Sequence, residues 1–254
     1  MSKILRDIPL EKQITKQVQH WETERAEWER EATPLLHEPL KKPGAYIAIS
    51  RELGSGGAEI SQRVAERLGW QHYDREIIEA IASRTRVREE LVARFDEHLQ
   101  SEWETYLYNF LTHQLLNNTQ YMTLLTKVLV SIAQCGNAVI LGRGANFILP
   151  PEKGLRVRVV APLEVRRQRL MQARGYDQKT AEQTIVEQDR ARRNFLQHHF
   201  HCGLEEPFRY DVVINTGQIG LAAAANFIVD LAGIKLTIPP ARDRYETAAS
   251  ARVS

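Results

Sequence analysis

Cysteine is nearly absent from this chain. Cys135 and Cys202 are the two present, no CxxC pair occurs, and a disulfide framework is excluded. An excess of one charge is also missing. Lys plus Arg number 34 and Asp plus Glu 32, a formal net charge of +2. With a pI near 8.5, that balance excludes a general nucleic-acid binder, so any positive patch is local. No apolar stretch approaches the roughly 18–20 residues of a membrane span, and the run Leu221 to Val229 is interrupted by Asn226. The opening MSKILRDIPLEKQ carries no apolar core of signal-peptide length. These absences predict a reduced, cytoplasmic protein with no membrane partner.

What remains is an ordinary globular mix, with 43% hydrophobic and 26% charged residues over 254 positions. That length suits one sizeable α/β domain with a real core. Residues 1–43 stand apart. Ile14, Trp21 and Trp28 recur every seven residues around Val18, which predicts an amphipathic helical arm. Three prolines between Pro34 and Pro43 end it as a linker. The arm packs on its own domain or pairs with a second copy.

The domain itself is expected over 44–234, with a polar tail at 235–254. Ala45 to Ser50 reads as a buried strand, 58–69 as a helix stopped by Gly69, Gln71 to Tyr73 as a short strand, and Arg75 to Ser83 as a helix. Residues 86–135 read as a helical insert, with Trp103, Leu107, Phe110, Leu111, Leu115, Leu124, Leu125, Val128, Leu129 and Ile132 at helical spacings and a break at Asn117-Asn118. This stretch suits packing, a lid or a dimer surface. Further strands are predicted at Ala138 to Leu141, Leu155 to Val160 and Tyr210 to Asn215. Helices are predicted from Pro162 to Arg174, Asp177 to about His199, and Ile219 to Ala232. Strands alternating with helices imply a mainly parallel, five-stranded sheet covered on both faces.

The chemical signal follows the first strand, in Arg51-Glu-Leu-Gly-Ser-Gly-Gly57. Gly54, Gly56 and Gly57 let the backbone turn tightly and approach a ligand. The amides of Ser55 to Ala58, at a helix start, favour an anion such as a polyphosphate. The loop departs from GxxxxGK[ST]: Gly57 stands where the lysine belongs. Phosphoryl transfer needs positive charge on the transferred group, and Arg51 is the candidate to supply it. Its competing role is a surface arginine paired with Glu52 or Glu59. Ser55 and Ser50 are the hydroxyls near enough to ligate Mg²⁺, with Ser55 the first candidate.

The ordered set ISRELGSGG, HYDREII, VILGRGANFIL, EQDRARRNF and YDVVINTG resembles the cytidylate kinase-like family, a branch of the P-loop nucleoside monophosphate kinases. The similarity runs from about Ala45 to Gly233. It implies a P-loop NTPase three-layer sandwich and transfer of a phosphoryl group from ATP, with Mg²⁺, to a nucleoside monophosphate. The resemblance places the donor phosphates on Gly54, Ser55, Gly56, Gly57 and Ala58. The acceptor site would begin at Asp74 and Arg75. In true cytidylate kinases an aspartate follows the arginine that Arg143 matches; here Gly144 takes its place. The arginine-rich lid helix, over 177–203, looks like Asp189, Arg190, Arg192 and Arg193.

The chemistry of the residues adds alternatives. Asp74, at a strand end, suits a ribose hydroxyl, the orientation of Arg75, or a helix cap. Arg143 sits between glycines that leave room for a guanidinium to reach a phosphate. Arg190, Arg192 and Arg193 fan over more than one helix face, with Asp189 and Glu187 near enough to pair with some of them. His198, His199, His201 and Cys202 crowd together, yet adjacent histidines on a helix diverge, so a helix end or dimer contact fits better than a metal. Asn215-Thr-Gly217 suits an adenine contact or an ordinary turn. The leading expectation is an ATP-dependent kinase acting on CMP or dCMP. The alternatives are a non-catalytic nucleotide sensor and a kinase of another small metabolite or a protein.

Overall fold

The computed structural model describes residues 45–83, 106, 108–110, 112 and 120–236, with the side chains of 80, 82 and 83 left aside. The expectations for the arm at 1–43, for Asn117-Asn118 and for the tail beyond 236 lie outside the described residues. So do those for most of 86–119.

The elements are β1 Tyr46–Arg51, α1 Gly57–Leu68, β2 Gln71–Tyr73, α2 Arg75–Ser83, α3 Gln120–Cys135 and β3 Ala138–Leu141. They continue as α4 Ala145–Ile148, β4 Gly154–Val160, α5 Leu163–Arg174, α6 Gln178–Phe200, β5 Val212–Asn215 and α7 Leu221–Leu236. The strands form one five-stranded sheet in the order β2–β3–β1–β4–β5. β1 pairs in parallel with both β3 and β4, and β4 in parallel with β5. The sequence order therefore reverses beside β1, and such a switch point opens a crevice at the carboxyl ends of the strands.

Period-two alternation explains the core. Ile47, Ile49, Val139, Leu141, Leu155, Val157, Val159 and Ile214 point to one face. Ile60, Val64 and Ala65 of α1 and Ala224, Ala225, Ile228 and Ala232 of α7 cover them. The small alanines of α7 let that helix approach the sheet closely. On the other face, the Tyr46 ring lies over Gly154, where a Cβ would strike it, and its hydroxyl donates to the Pro150 carbonyl at 2.6 Å. Further along that face, Tyr210, Phe147 of α4, and Leu196 and Phe200 of α6 form a second apolar cluster.

The helix ends follow local rules. Gly69 and Gly175 close α1 and α5 in the left-handed conformation. Asp177 caps α6 by accepting the Thr180 amide at 2.7 Å. α4 is a single turn that the sequence reading left unassigned, because four residues cannot display a helical period. α7 begins at Leu221 rather than Ile219, since the Gln218 and Ile219 amides turn back onto the Asn215 carbonyl.

Contacts divide the chain into two units, whose described residues are 45–72 with 137–236 and the intervening 73–136. The intervening unit packs α2 on α3. Leu125, Val128, Leu129 and Ile132 are buried at the expected helical spacing. Asp74 accepts the Ile77 amide at 2.9 Å, the capping role among its alternatives, and Arg75 pairs with Glu79 at 3.4 Å on an exposed surface. Among the described residues no helix is long and apolar enough to cross a membrane.

Candidate phosphate-binding site

Beyond Arg51 the chain turns sharply into α1. Gly54 and Gly56 hold φ of +80° and +82°, and Gly56 is the residue that caps α1. An L side chain rarely adopts that backbone, so glycine is required at the cap. Ser55 turns its amide and its hydroxyl onto the Glu52 carbonyl, at 3.3 and 2.9 Å. Among the described residues, no acceptor takes the amides of Gly54, Gly56, Gly57 or Ala58. These are the donors a helix start leaves over, and they carry the positive end of its dipole.

The carbonyls of the loop are held in place by other parts of the chain. Arg166 Nε donates to the Leu53 carbonyl at 2.7 Å. Arg169 lies 3.5 Å from the Gly54 carbonyl, and the Thr216 hydroxyl donates to the Ser55 carbonyl at 2.6 Å. Arg169 in turn donates to Thr216 Oγ1 and its carbonyl, at 2.9 and 2.8 Å. With its carbonyls tied down and amides left over, the loop is polarised toward an anion.

Arg166 and Arg169 were invisible as site residues in the sequence. Their signal was a pair of arginines three apart on the helix following a strand, which places both on one face. Arg166 is buried and also pairs with Asp189 and, at 3.5 Å, with Glu52. Glu52 accepts the Ala161 amide at 3.2 Å and lies 3.6 Å from buried Arg158. Arg158 rests over the Tyr210 ring, 5.6 Å from its centroid. Burial pushes the Tyr210 phenol above its ordinary pKa despite that guanidinium, and its hydroxyl donates to the Leu204 carbonyl.

These pairings correct one expectation. Glu52 belongs to Arg158 and Arg166, and Glu59 to Arg63 at 2.7 Å. Among the described residues, none of these pairs includes Arg51. The Arg51 stem instead crosses Gly57, where a Cβ would sit 2.5 Å from Arg51 Cβ and 3.0 Å from its Cγ. Its guanidinium lies against Gly142, at the end of β3. The glycines also differ from expectation in what their bareness serves. A Cβ at Gly54 would meet the Arg166 carbonyl at 2.6 Å, and one at Gly56 would meet the Leu221 side chain. The room they leave is filled by protein.

Arg143 follows Gly142 with φ of +55°, and Gly144 continues at +70°. A non-glycine residue held there stores strain of about 1–2 kcal/mol. At Gly144 a Cβ would lie 3.1 Å from the Phe200 ring and 3.6 Å from that of Phe195. Aromatic rings of α6 crowd the place that a Cβ there would take. Asn146, 5% exposed, holds a buried side-chain amide nitrogen that has no acceptor among the described residues. It is a second polar group that the sequence reading missed.

On α6, Asp189 is the anchor. It takes Arg166, Arg192 at 3.0 Å and the Leu53 amide at 3.4 Å, tying the helix to the loop. Arg190 and Arg193 are exposed. Ser55 is fully buried and its hydroxyl proton is committed to Glu52, so it does not fit a Mg²⁺ ligand in this conformation. Among the described residues no group of three His, Cys, Asp or Glu side chains converges as a metal site. His198 and His199 meet edge to face, and the His199 ring lies tilted against Phe195 at the end of α6. Burial lowers the His199 pKa, with the neighbouring His198 contributing. Asn215 accepts the Gly217 amide at 2.9 Å, the turn role.

A glycine loop leaving the central strand of a β2–β3–β1–β4–β5 parallel sheet defines a P-loop kinase-like fold. The cytidylate kinase-like family matches the chain over residues 46–218, and the chain belongs to that family. Among solved structures, an uncharacterized protein from Eubacterium ventriosum is 23% identical, with 74% of this chain and 97% of that chain covered and a TM-score of 0.58. A shikimate kinase from Acinetobacter baumannii is 16% identical over 73% of this chain and 91% of its own, with a TM-score of 0.39. A gluconokinase from Sinorhizobium meliloti is 16% identical over 77% and 92%, with a TM-score of 0.35. No curated protein matches the sequence.

Proposed function

We propose that this protein is an ATP-dependent phosphotransferase that passes the γ-phosphoryl group of ATP to a nucleoside monophosphate, with CMP or dCMP the first acceptor to try. One observation carries the reading: the amides of Gly54, Gly56, Gly57 and Ala58 have no acceptor among the described residues, at the start of a helix beside several arginines. Those amides hold the donor phosphates. Arg51 supplies the charge that a loop lysine supplies elsewhere, and its guanidinium suits paired phosphate oxygens. Arg143 and the Asn146 amide serve the acceptor side. Arg192 is already drawn to the loop through Asp189, and Arg190 and Arg193 are the further cations of the same helix.

In the transfer, an acceptor phosphate oxygen bonds to the γ-phosphorus while the bond from that phosphorus to the β,γ-bridging oxygen breaks. ADP leaves with the electron pair. An acceptor already anionic needs no general base. The chain's contribution is position and charge, as phosphoryl transfer generally demands. The family generally uses Mg²⁺ together with ATP. Ser55, enclosed and donating to the Glu52 carbonyl, offers that metal no ligand in this conformation.

A second reading is a nucleotide-binding sensor without turnover. It is favoured by the filled lysine position at Gly57 and the enclosed Ser55 hydroxyl. A third, a kinase of another metabolite, is favoured by the glycine at 144 and by the aromatic rings that crowd a Cβ there. A coupled ADP-release assay with Mg-ATP across a panel of monophosphates separates the three. Turnover with one monophosphate supports the first reading. Tight ATP binding without turnover supports the second, and product only with a non-nucleotide acceptor supports the third.

A further inference from the structure

Gly57 is the first residue of α1, and its backbone is not left-handed. Alanine would suit that backbone and would favour the helix over glycine. Among the described residues, one side chain objects at close range: a Cβ at Gly57 would stand 2.5 Å from Arg51 Cβ and 3.0 Å from Arg51 Cγ, while Val159 is at an ordinary 3.5 Å. At the far end of the same side chain, a Cβ on Gly142 would run into the Arg51 guanidinium. Two glycines from different elements thus line one slot, and the slot holds one arginine.

We infer that Gly57 is a positioning residue for Arg51, and that the loop holds an arginine at 51 or a side chain at 57, but not both. The missing loop lysine is therefore one half of an exchange. The stem of Arg51 fills the volume that a side chain at 57 would need, and its cationic head lies against Gly142, just beyond β3. This rests on the reading of Arg51 as the cation that meets the triphosphate. It goes beyond that reading by tying the charge at one position to the bareness of another. It also separates the two glycines as probes. Gly142 has φ of +85°, so any substitution there is strained for backbone reasons alone. Gly57 carries no such strain and reports on Arg51.

The test uses the full chain, Mg²⁺ with the nonhydrolysable analogue AMP-PNP, calorimetry and thermal unfolding. Gly57→Ala is expected to lower the unfolding temperature and to weaken AMP-PNP binding about tenfold, the scale of one lost charge-assisted hydrogen bond. Arg51→Ala is expected to weaken binding by a similar factor. Arg51→Ala/Gly57→Ala is expected to unfold at a higher temperature than Gly57→Ala alone, a non-additive pair. Arg51→Ala/Gly57→Lys is expected to bind AMP-PNP more tightly than Arg51→Ala. A Gly57→Ala chain equal to the parent in both measurements, beside a weakened Arg51→Ala chain, overturns the slot alone. A lysine at 57 that recovers no binding overturns the exchange. An Arg51→Ala chain that binds as the parent does removes Arg51 from phosphate binding and overturns the inference together with the reading beneath it.

Discussion

The face of the sheet under α1 and α7 and the rim at the carboxyl ends of the same strands are built by opposite means. Ile47, Ile49, Val157 and Val159 meet Ile60, Val64 and Ile228 on the apolar face, and no charge needs a partner there. A residue or two further along the chain, Glu52 and Asp189 are enclosed with Arg158, Arg166 and Arg192, and Arg169 grips Gly54 and Thr216. Among the described residues, four arginines stand beside two carboxylates there, before Arg51 is added. Buried ion pairs contribute little net stability compared with apolar side chains of equal volume. Keeping them at the rim makes sense if their surplus charge meets an anion. The apolar face stabilises the fold; the rim gives up stability for a field.

The comparison is sharpest at Arg166. Replacing it with alanine leaves Glu52 and Asp189 short of a partner and should cost about 3–5 kcal/mol in urea unfolding. Ile228→Ala on the apolar face should cost about 2–5 kcal/mol. Below their unfolding transitions, AMP-PNP binding should fall for the Arg166 variant and stay near the parent for the Ile228 variant. Equal nucleotide affinities would break the comparison. Arg51→Ala reverses the balance: turnover in the ADP-release assay should fall by about 10²–10³, while stability shifts by less than about 1 kcal/mol. Near-normal turnover removes Arg51 from the mechanism.

Thr216→Val tests the joint between the two regions. It takes the donor from the Ser55 carbonyl and an acceptor from Arg169. Denaturant titration should register a loss of about 1–2 kcal/mol. The smallest effect lies at the opposite end of β4. Burial pushes Asp211 up, but hydrogen bonds from Arg156 and Lys235 outweigh it and hold the carboxyl below its ordinary range. A depressed carboxyl stabilises the fold above its unfolded pKa and loses that contribution as pH falls through the folded value. The parent should therefore lose stability below about pH 4. Asp211→Asn should flatten that acid limb by about 1 kcal/mol or less, because the site is partly exposed. An unchanged limb would assign the acid sensitivity to the rim instead.

The apolar face was legible because periodicity is a local property. A short, mostly apolar run marked Ala45 to Ser50 as a buried strand, and the spacing of Ile60, Val64 and Ala65 marked α1. The glycine loop was legible for the same reason, since its glycines are consecutive or nearly so. The partners of the rim were not. Glu52 meets residues more than a hundred positions later, and nothing in its neighbourhood distinguishes Arg166 from the other arginines of α5. Glu59 and Glu52 both looked available to Arg51 in one dimension. The fold gave one to Arg63 on the next helical turn and the other to β4 and α5.

By itself, then, the order of residues determined the strand and helix identities, the anion-seeking bend and the family to which they belong. Each depends on neighbours within a few positions, which the chain carries wherever it goes. Only the tertiary structure decided which arginine lies across Gly57, which hold the loop carbonyls, and which rings crowd Gly144. Those are questions of who occupies a given volume, and volume is shared between segments that the chain brings together only by folding.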